Sequence, residues 1–151
     1  MPSLLRRSIA ESLGTFALVF IGTGAVAAKF YPDAGFGILG IAVAHAMVLS
    51  VMVTATMNIS GGHLNPAVTL GLLAVRRVDL RSAGDYIVAQ LVGAVLASLM
   101  VKAIFPIGVT KPMALGTPAI ANNILLGQAI TVEAVLTFFL VSAVFGTVVN
   151  P

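Results

Sequence analysis

The residues whose types and spacing could do chemistry are concentrated in one stretch, Asn58-Ile59-Ser60-Gly61-Gly62-His63-Leu64-Asn65-Pro66-Ala67-Val68-Thr69. Asn65 is a good helix N-cap, and Pro66 is favoured at the first helical position, where its missing N–H is not needed. Gly61 and Gly62 permit an extended, irregular backbone ahead of that cap. Such a backbone offers carbonyl oxygens as acceptors, and the helix begun at Asn65-Pro66-Ala67 points its positive end toward them. A small neutral molecule such as water would accept from the Asn65 amide and donate to the carbonyls. The same positive end would oppose cations, protons included. This chemistry is recognition and passage, without bond making. On its own, Asn-Pro-Ala reads equally as an ordinary helix cap.

Four other polar groups sit in apolar surroundings: Glu11, His45, Gln90 and Glu133. A carboxylate inside a membrane helix is a functional candidate by default, here as a proton carrier. Its competing role is that of a buried acceptor for backbone N–H groups. A lone histidine such as His45 is ordinarily a core residue bonded to a neighbouring helix, and Gln90 reads as a brace between helices. With two histidines, no cysteine, no HExxH or GxSxG string and no paired carboxylates on one face, nothing points to an enzyme, a metal or a cofactor.

The elements that must position these groups follow from composition. Of 151 residues, 59% are apolar and only 9% are charged. A soluble domain carries about a quarter charged residues, so this inventory does not build a water-facing surface. The net charge of +3 lies at the ends of apolar runs without interleaved aromatics, which fits membrane orientation and excludes a nucleic-acid surface. About 20 apolar residues cross the hydrocarbon core as a helix. Four segments qualify, at about 8–28, 36–57, 84–105 and 127–149. Arg6, Arg7 and the small residues up to Ala28 also suit a cleaved signal peptide, but Glu11 interrupts the apolar region and the stretch is long enough to span, so it is expected to be retained. Small residues at four-residue spacing, Ala42/Ala46/Ser50 and Ala89/Gly93/Ala97, are expected to let helices approach closely. The three prolines between Pro106 and Asn123 predict a long connecting loop.

A fifth apolar segment, 67–75, is too short to span: at about 1.5 Å per residue it covers about half the hydrocarbon thickness. Charge gives an independent check. If the segment dips in and returns, Arg6, Arg7, Arg76, Arg77 and Arg81 share one side, and Lys29, Lys102 and Lys111 fall on or near the other. Length and charge agree on a re-entrant half-helix. An internal repeat is also present: Glu11, Thr15, Phe16, Leu18 and Val19 recur at the same offsets as Glu133, Thr137, Phe138, Leu140 and Val141. The chain therefore divides into a first repeat, 1–122, and the first helix of an incomplete second repeat, 123–151. Repeats of this kind, usually inverted, are common in transport proteins.

The whole Ser60-Gly61-Gly62-His63-x-Asn65-Pro66-Ala67-Val68-Thr69 string between spanning helices resembles the aquaporin and aquaglyceroporin family, the major intrinsic proteins. Ala10-Glu11 through Gly14-Thr15-Phe16, Ala89-Gln90 through Gly93, and Glu133 extend the resemblance along nearly the whole chain. It implies an all-α, aquaporin-like bundle, here four spanning helices and one re-entrant half-helix. It further implies pore-lining carbonyls at Gly61 to His63, Asn65 at the pore centre, a bracing His63 side chain, and Glu11 and Glu133 as buried acceptors. Glu133 would serve a loop this chain does not contain. His45 aligns with the helix-two position of the family's selectivity constriction and is similar there to the plant vacuolar subgroup. The implied function is passive passage of water, with glycerol, ammonia and urea as candidate solutes, in a tetramer if the pore is complete, in the cell membrane with a cytoplasmic N-terminus. The alternatives are a small proton-coupled transporter using Glu11 and a non-conducting assembly subunit. Asn150-Pro151 is not a second pore motif: it falls 17 residues after Glu133, whereas Asn65 falls 54 after Glu11. By that spacing the second Asn belongs near position 187, so this chain alone is expected not to form the full pore.

The arginine distribution makes the first testable statement. A cysteine placed at position 77 should react with an impermeant thiol reagent from the same side as one placed at position 3. Labelling of the two from opposite sides would overturn the re-entrant assignment.

Overall fold

In the computed structural model, residues 2–35 and 37–149 are described. The chain runs through α1 (Leu4–Ala28), α2 (Ile38–Ser60), α3 (Pro66–Ala74), α4 (Leu80–Ile104), a single turn α5 (Ile107–Thr110) and α6 (Leu126–Val144), which continues as a wider π-type turn over Phe145–Val149. Four of these, α1, α2, α4 and α6 with its extension, are long and apolar enough to cross a membrane. At about 1.5 Å per residue, α1 and α4, each of 25 residues, are about 37 Å long, whereas the nine residues of α3 reach only about 14 Å. The described architecture is thus an all-α, multi-pass membrane bundle with one half-length helix.

Three helix ends on the loop and arginine side extend beyond the apolar runs. α1 starts at Leu4 rather than near Ser8, and α4 at Leu80 rather than Gly84. The apolar pattern marks only the part in hydrocarbon, whereas the helices continue into the polar interface where Arg6, Arg7 and Arg81 sit. Capping sets the true ends. Ser3 accepts from the Arg6 N–H, and Asp79 accepts from the Ser82 N–H at 2.9 Å. These bonds to Ser82 hold the Asp79 carboxyl below the ordinary carboxylate value. α2 runs on to Ser60, past the expected Met57, because Gly61 closes it in the left-handed conformation (φ 96°). The expected start of α2 at Phe36 and the Asn150-Pro151 pair lie outside the described residues. The proline-rich connection after α4 is not wholly irregular: Ile107–Thr110 forms α5, and Ala114–Gly116 makes a 3-10 turn.

α1 is the hub and packs along both α2 and α4. Within their most apolar stretches, 39% of α1 residues are buried but only 6% of those in α2 and α6. The outer faces of α2 and α6 are therefore left for lipid or other protein. The closest approach joins α1 to α4 at Gly93, where an added Cβ would lie 2.2 Å from the Ser12 carbonyl oxygen. Gly93 and Ala97 are buried in this seam, as small residues at four-residue spacing allow. The other stripe behaves differently. Ala42, Ala46 and Ser50 are all exposed, because α2 meets α1 along another face. α3 lies against α4 and α6, with Val68 and Leu72 packed on Val144. Arg7 and Arg77 line the same cavity, so α3 returns the chain to the end of the bundle from which α1 starts. Only a segment that dips in and turns back does this.

Gly93→Ala should destabilise the protein by at least about 2 kcal/mol, because backbone rather than a side-chain tip must move. Gly84→Ala, earlier in the same helix with nothing within 4 Å of the added carbon, should be neutral or stabilising by up to about 1 kcal/mol. Thermal unfolding in detergent followed by circular dichroism measures both. Equal melting temperatures for the two variants would show that the α1–α4 seam is not close-packed.

Candidate functional site

The site is built around the Glu11 carboxylate, which is 0% exposed in the N-terminal third of α1. Its Oε1 accepts from the Ser60 hydroxyl at 2.5 Å and from the His63 N–H at 3.0 Å. Its Oε2 accepts from the Leu64 N–H at 2.6 Å and from the Gln90 side-chain amide at 2.8 Å. An ionised carboxylate has about four acceptor sites, and four donors fill them. They come from the end of α2, the following loop and α4, so one side chain on α1 fastens three segments.

One turn further on, the Thr15 hydroxyl donates to the Leu64 carbonyl at 3.1 Å. Leu64 is held at φ 48°, a left-handed value that costs a branched residue about 1–2 kcal/mol. The bonds to Glu11 and Thr15 on either side of it offset that cost. Its side chain fills the notch at Gly14, where an added Cβ would meet Leu64 Cδ2 at 2.3 Å. Gly62 also adopts a positive φ of 63°, and an added Cβ would come within 3.0 Å of the Val53 carbonyl oxygen. Residues 61–64 therefore cross the bundle as an irregular segment whose turns depend on two glycines and on α1.

At the start of α3 the Asn65 Oδ1 accepts from the Ala67 N–H at 2.8 Å, with Pro66 at the first helical position. This bond fixes the orientation of the amide, because only oxygen can accept there. Nδ2 is left as a pair of donors with no partner among the described residues. The carbonyl oxygens of Gly61, Gly62 and His63 likewise accept no hydrogen bond among the described residues. Leu64 O is taken by Thr15, and Ser60 O accepts from the Tyr86 hydroxyl at 2.8 Å. Three consecutive free acceptors thus lead to one free donor amide.

A second layer of bonds holds the loop to the half-helix. The Thr69 hydroxyl lies 3.1 Å from the Asn65 carbonyl, to which it can donate. Gln90 Nε2 donates to it at 3.0 Å, and His63 Nδ1 lies 3.1 Å away. The buried His63 ring stands edge-on to Tyr86, with centroids 5.0 Å apart. Gln90 is 1% exposed and joins α4 to both Glu11 and Thr69.

Glu11, Gly61, Gly62, His63, Asn65, Pro66, Ala67 and Gln90 are brought together in this way. His45 is not among them: it lies fifteen residues before Ser60, about 22 Å along α2. It is exposed, its Nδ1–H donates to the Ile41 carbonyl at 2.8 Å, and its ring rests against Gly22 of α1. Glu133 departs from the expected burial. It is exposed and, with Thr137, lines a cavity of about 780 Å³ between α6 and the segment 118–124. No described loop presents donors to it, so nothing covers it. Sequence reasoning assigned no role to Ser60, Thr69, Thr15 or Tyr86. Helical spacing held the signal for the last two, since Thr15 lies four residues after Glu11 and Tyr86 four before Gln90, each on its partner's face.

Replacing Glu11 by Gln removes the charge and turns an amide N–H₂ toward donors that need acceptors. Loss of at least about 3 kcal/mol is expected, because buried N–H groups are left unpaired. Thermal unfolding in detergent reads it, and hydrogen exchange should speed up first at the amides of residues 63 and 64. Unchanged exchange there would show that the loop holds without the carboxylate.

A profile of the family described as "Major intrinsic protein" matches residues 1–151. Among curated relatives, "Aquaporin TIP4-4" of Zea mays is 40% identical over 97% of this chain, and "Probable aquaporin TIP-type alpha" of Phaseolus vulgaris is 37% identical over 99%. "Aquaporin-5" of Ovis aries is 37% identical over 96%. The chain spans 59% of the length of the two plant proteins and 53% of the sheep one. The glutamate-anchored loop and the Asn-Pro-capped half-helix thus occur in a chain matched from end to end, and this protein belongs to the major intrinsic protein family.

Proposed function

We propose that this chain supplies the first-repeat half of a passive pore for water, with glycerol, ammonia and urea as further candidate solutes. The observation that carries the reading is the row of unpartnered carbonyls at Gly61, Gly62 and His63 ahead of the free Asn65 amide. A water stripped of its neighbours would find acceptors along the segment and a donor at its inner end. The positive end of α3 and the amide N–H₂ together disfavour a cation at the same point. Pro66 and Ala67 open that helix, and the backbone of Ala67 locks the Asn65 amide in its donor orientation.

In this reading His45 narrows the route at a second level, its ring held between the Ile41 carbonyl and Gly22 of α1. Residues 1–122 form the first repeat and 123–151 open the second. α6 begins 122 residues after α1, the same offset that separates Glu133 from Glu11. The cavity beside Glu133 and Thr137 has the polar pair needed to anchor a second re-entrant loop. The N-terminus is cytoplasmic by the arginine bias. The exposed small-residue stripe of α2 suits a neighbouring subunit in a tetramer. Glu11 as a proton carrier has little support: all four of its acceptor sites are taken, and it does not reach solvent.

The test joins residues 1–122 to the second repeat of the Zea mays relative and reconstitutes the chimera in liposomes. Osmotic shrinkage should be at least about tenfold faster than in empty liposomes, with no proton leak. Asn65→Asp should admit protons or sodium, and His45→Ala should raise urea permeability. Shrinkage at the bare-lipid rate by a folded chimera would refute the pore reading. Unaltered urea exclusion in His45→Ala would remove His45 from it.

A further inference from the structure

A second polar cavity, of about 280 Å³, lies at the arginine end of the bundle, behind the loop and beside the C-terminal turn of α3. It is lined by Arg7, Arg77, Ser60, His63 and Tyr86 together with apolar residues, and no carboxylate is among the lining residues. The Arg7 guanidinium lies over the Tyr86 ring, 5.8 Å from its centroid, and donates one bond, to the Ser82 hydroxyl at 3.4 Å. Its Nε is buried and has no acceptor among the described residues. A charged N–H removed from water without a partner costs free energy, and a second guanidinium on the same cavity adds repulsion.

Most nearby acceptors are committed elsewhere, and Asp79 Oδ2, which is not, accepts nothing from Arg7 among the described residues. Both oxygens of Glu11 are filled by four donors, and Asp79 Oδ1 accepts from the Ser82 N–H. The Ser60 carbonyl accepts from Tyr86, and the Ser60 hydroxyl donates to Glu11 and accepts from the Gly62 N–H. Arg77 is not on a loose loop. Its N–H donates to the Leu72 carbonyl at 2.9 Å, and Arg76 beside it turns the chain at φ 60°, closing α3 with a Schellman-type cap. Two arginines thus line one cavity: the Arg7 guanidinium lies on an aromatic face, and Arg77, whose side chain is exposed, is placed there by its backbone cap.

The geometry points to an oxyanion site: Arg7 and Arg77 bind a phosphate group, from a lipid headgroup or from free phosphate, in the cavity between α1, the end of α2 and the α3–α4 turn. Planar guanidinium groups match the oxygens of phosphate, and Arg7 Nε supplies a donor already desolvated. The volume exceeds the ~30 Å³ of one water several times over, enough for an oxyanion with some hydration. The cavity borders Gly61 and His63 of the carbonyl row, but its anion donors, Arg7 and Arg77, lie outside that row.

The test uses the full chain, purified in a neutral detergent. Inorganic phosphate is titrated by calorimetry at constant ionic strength. In parallel, the chain in phosphatidylcholine nanodiscs is compared with nanodiscs containing one-fifth phosphatidic acid, by thermal stability. Saturable phosphate binding, or stabilisation by phosphatidic acid, is expected, and which of the two occurs identifies the source. Arg77→Gln should weaken it at least tenfold, and Arg76→Gln, with the same loss of charge one residue away, should change it less than twofold. Arg7→Gln should weaken it too; should that variant fail to fold, Arg77→Gln against Arg76→Gln still decides. Equal effects of the two substitutions would mean diffuse electrostatics, and no response to either probe would mean a merely hydrated cavity. Either result overturns the site.

Discussion

Everything near the half-helix depends on one buried anion that has no cation beside it. Glu11 is satisfied by neutral donors alone, two of them backbone N–H groups of the irregular segment. At membrane depth such a segment survives only if its polar groups are met by protein or by water. The carboxylate answers half of that requirement by drawing the N–H groups of His63 and Leu64 toward α1. The other half, the carbonyls of residues 61–63, is left free of protein partners. The same interaction that makes the loop stable therefore makes it one-sided. A one-sided loop is what a route for a donor molecule needs.

Close helix packing follows from that anchor. Gln90 reaches both Glu11 and Thr69 only because Gly93 brings α4 onto the backbone of α1. Thr69 in turn bonds to Asn65, Gln90 and His63, which ties the half-helix to the loop that precedes it. The left-handed turn at Leu64 and the notch at Gly14 belong to the same arrangement, since the side chain seats while the backbone is held on both sides. Small residues and polar residues here serve one end. The former allow the approach that the latter then exploit.

The half-helix, its cap and the irregular segment were legible in the sequence because each rests on a local rule: proline at the first turn, asparagine before it, glycines ahead, and too few apolar residues to span. Glu11 stood out because a carboxylate in an apolar run is costly without partners. The partners themselves were less visible. Ser60 and Thr69 are unremarkable small polar residues until the fold brings α1 and α4 to them, and Tyr86 and Arg7 look like interface residues of separate helices. The stripe Ala42/Ala46/Ser50 obeyed the same spacing rule as Gly93/Ala97 yet is exposed, because spacing states that a face can pack and not which neighbour takes it.

Glu133 shows the same limit from the other side. It occupies the position in α6 that Glu11 occupies in α1, with a threonine one turn on in both helices. In α1 the pair is buried and saturated; in α6 it faces a cavity of about 780 Å³. The two helices differ less in their own residues than in what has folded back onto them. A repeated glutamate–threonine pair therefore encodes a socket, and whether the socket is a closed structural core or an open polar surface is decided by the segment that presents N–H groups to it. In α1 that segment follows directly after α2, so helix, loop and half-helix make one unit whose polar groups complete each other.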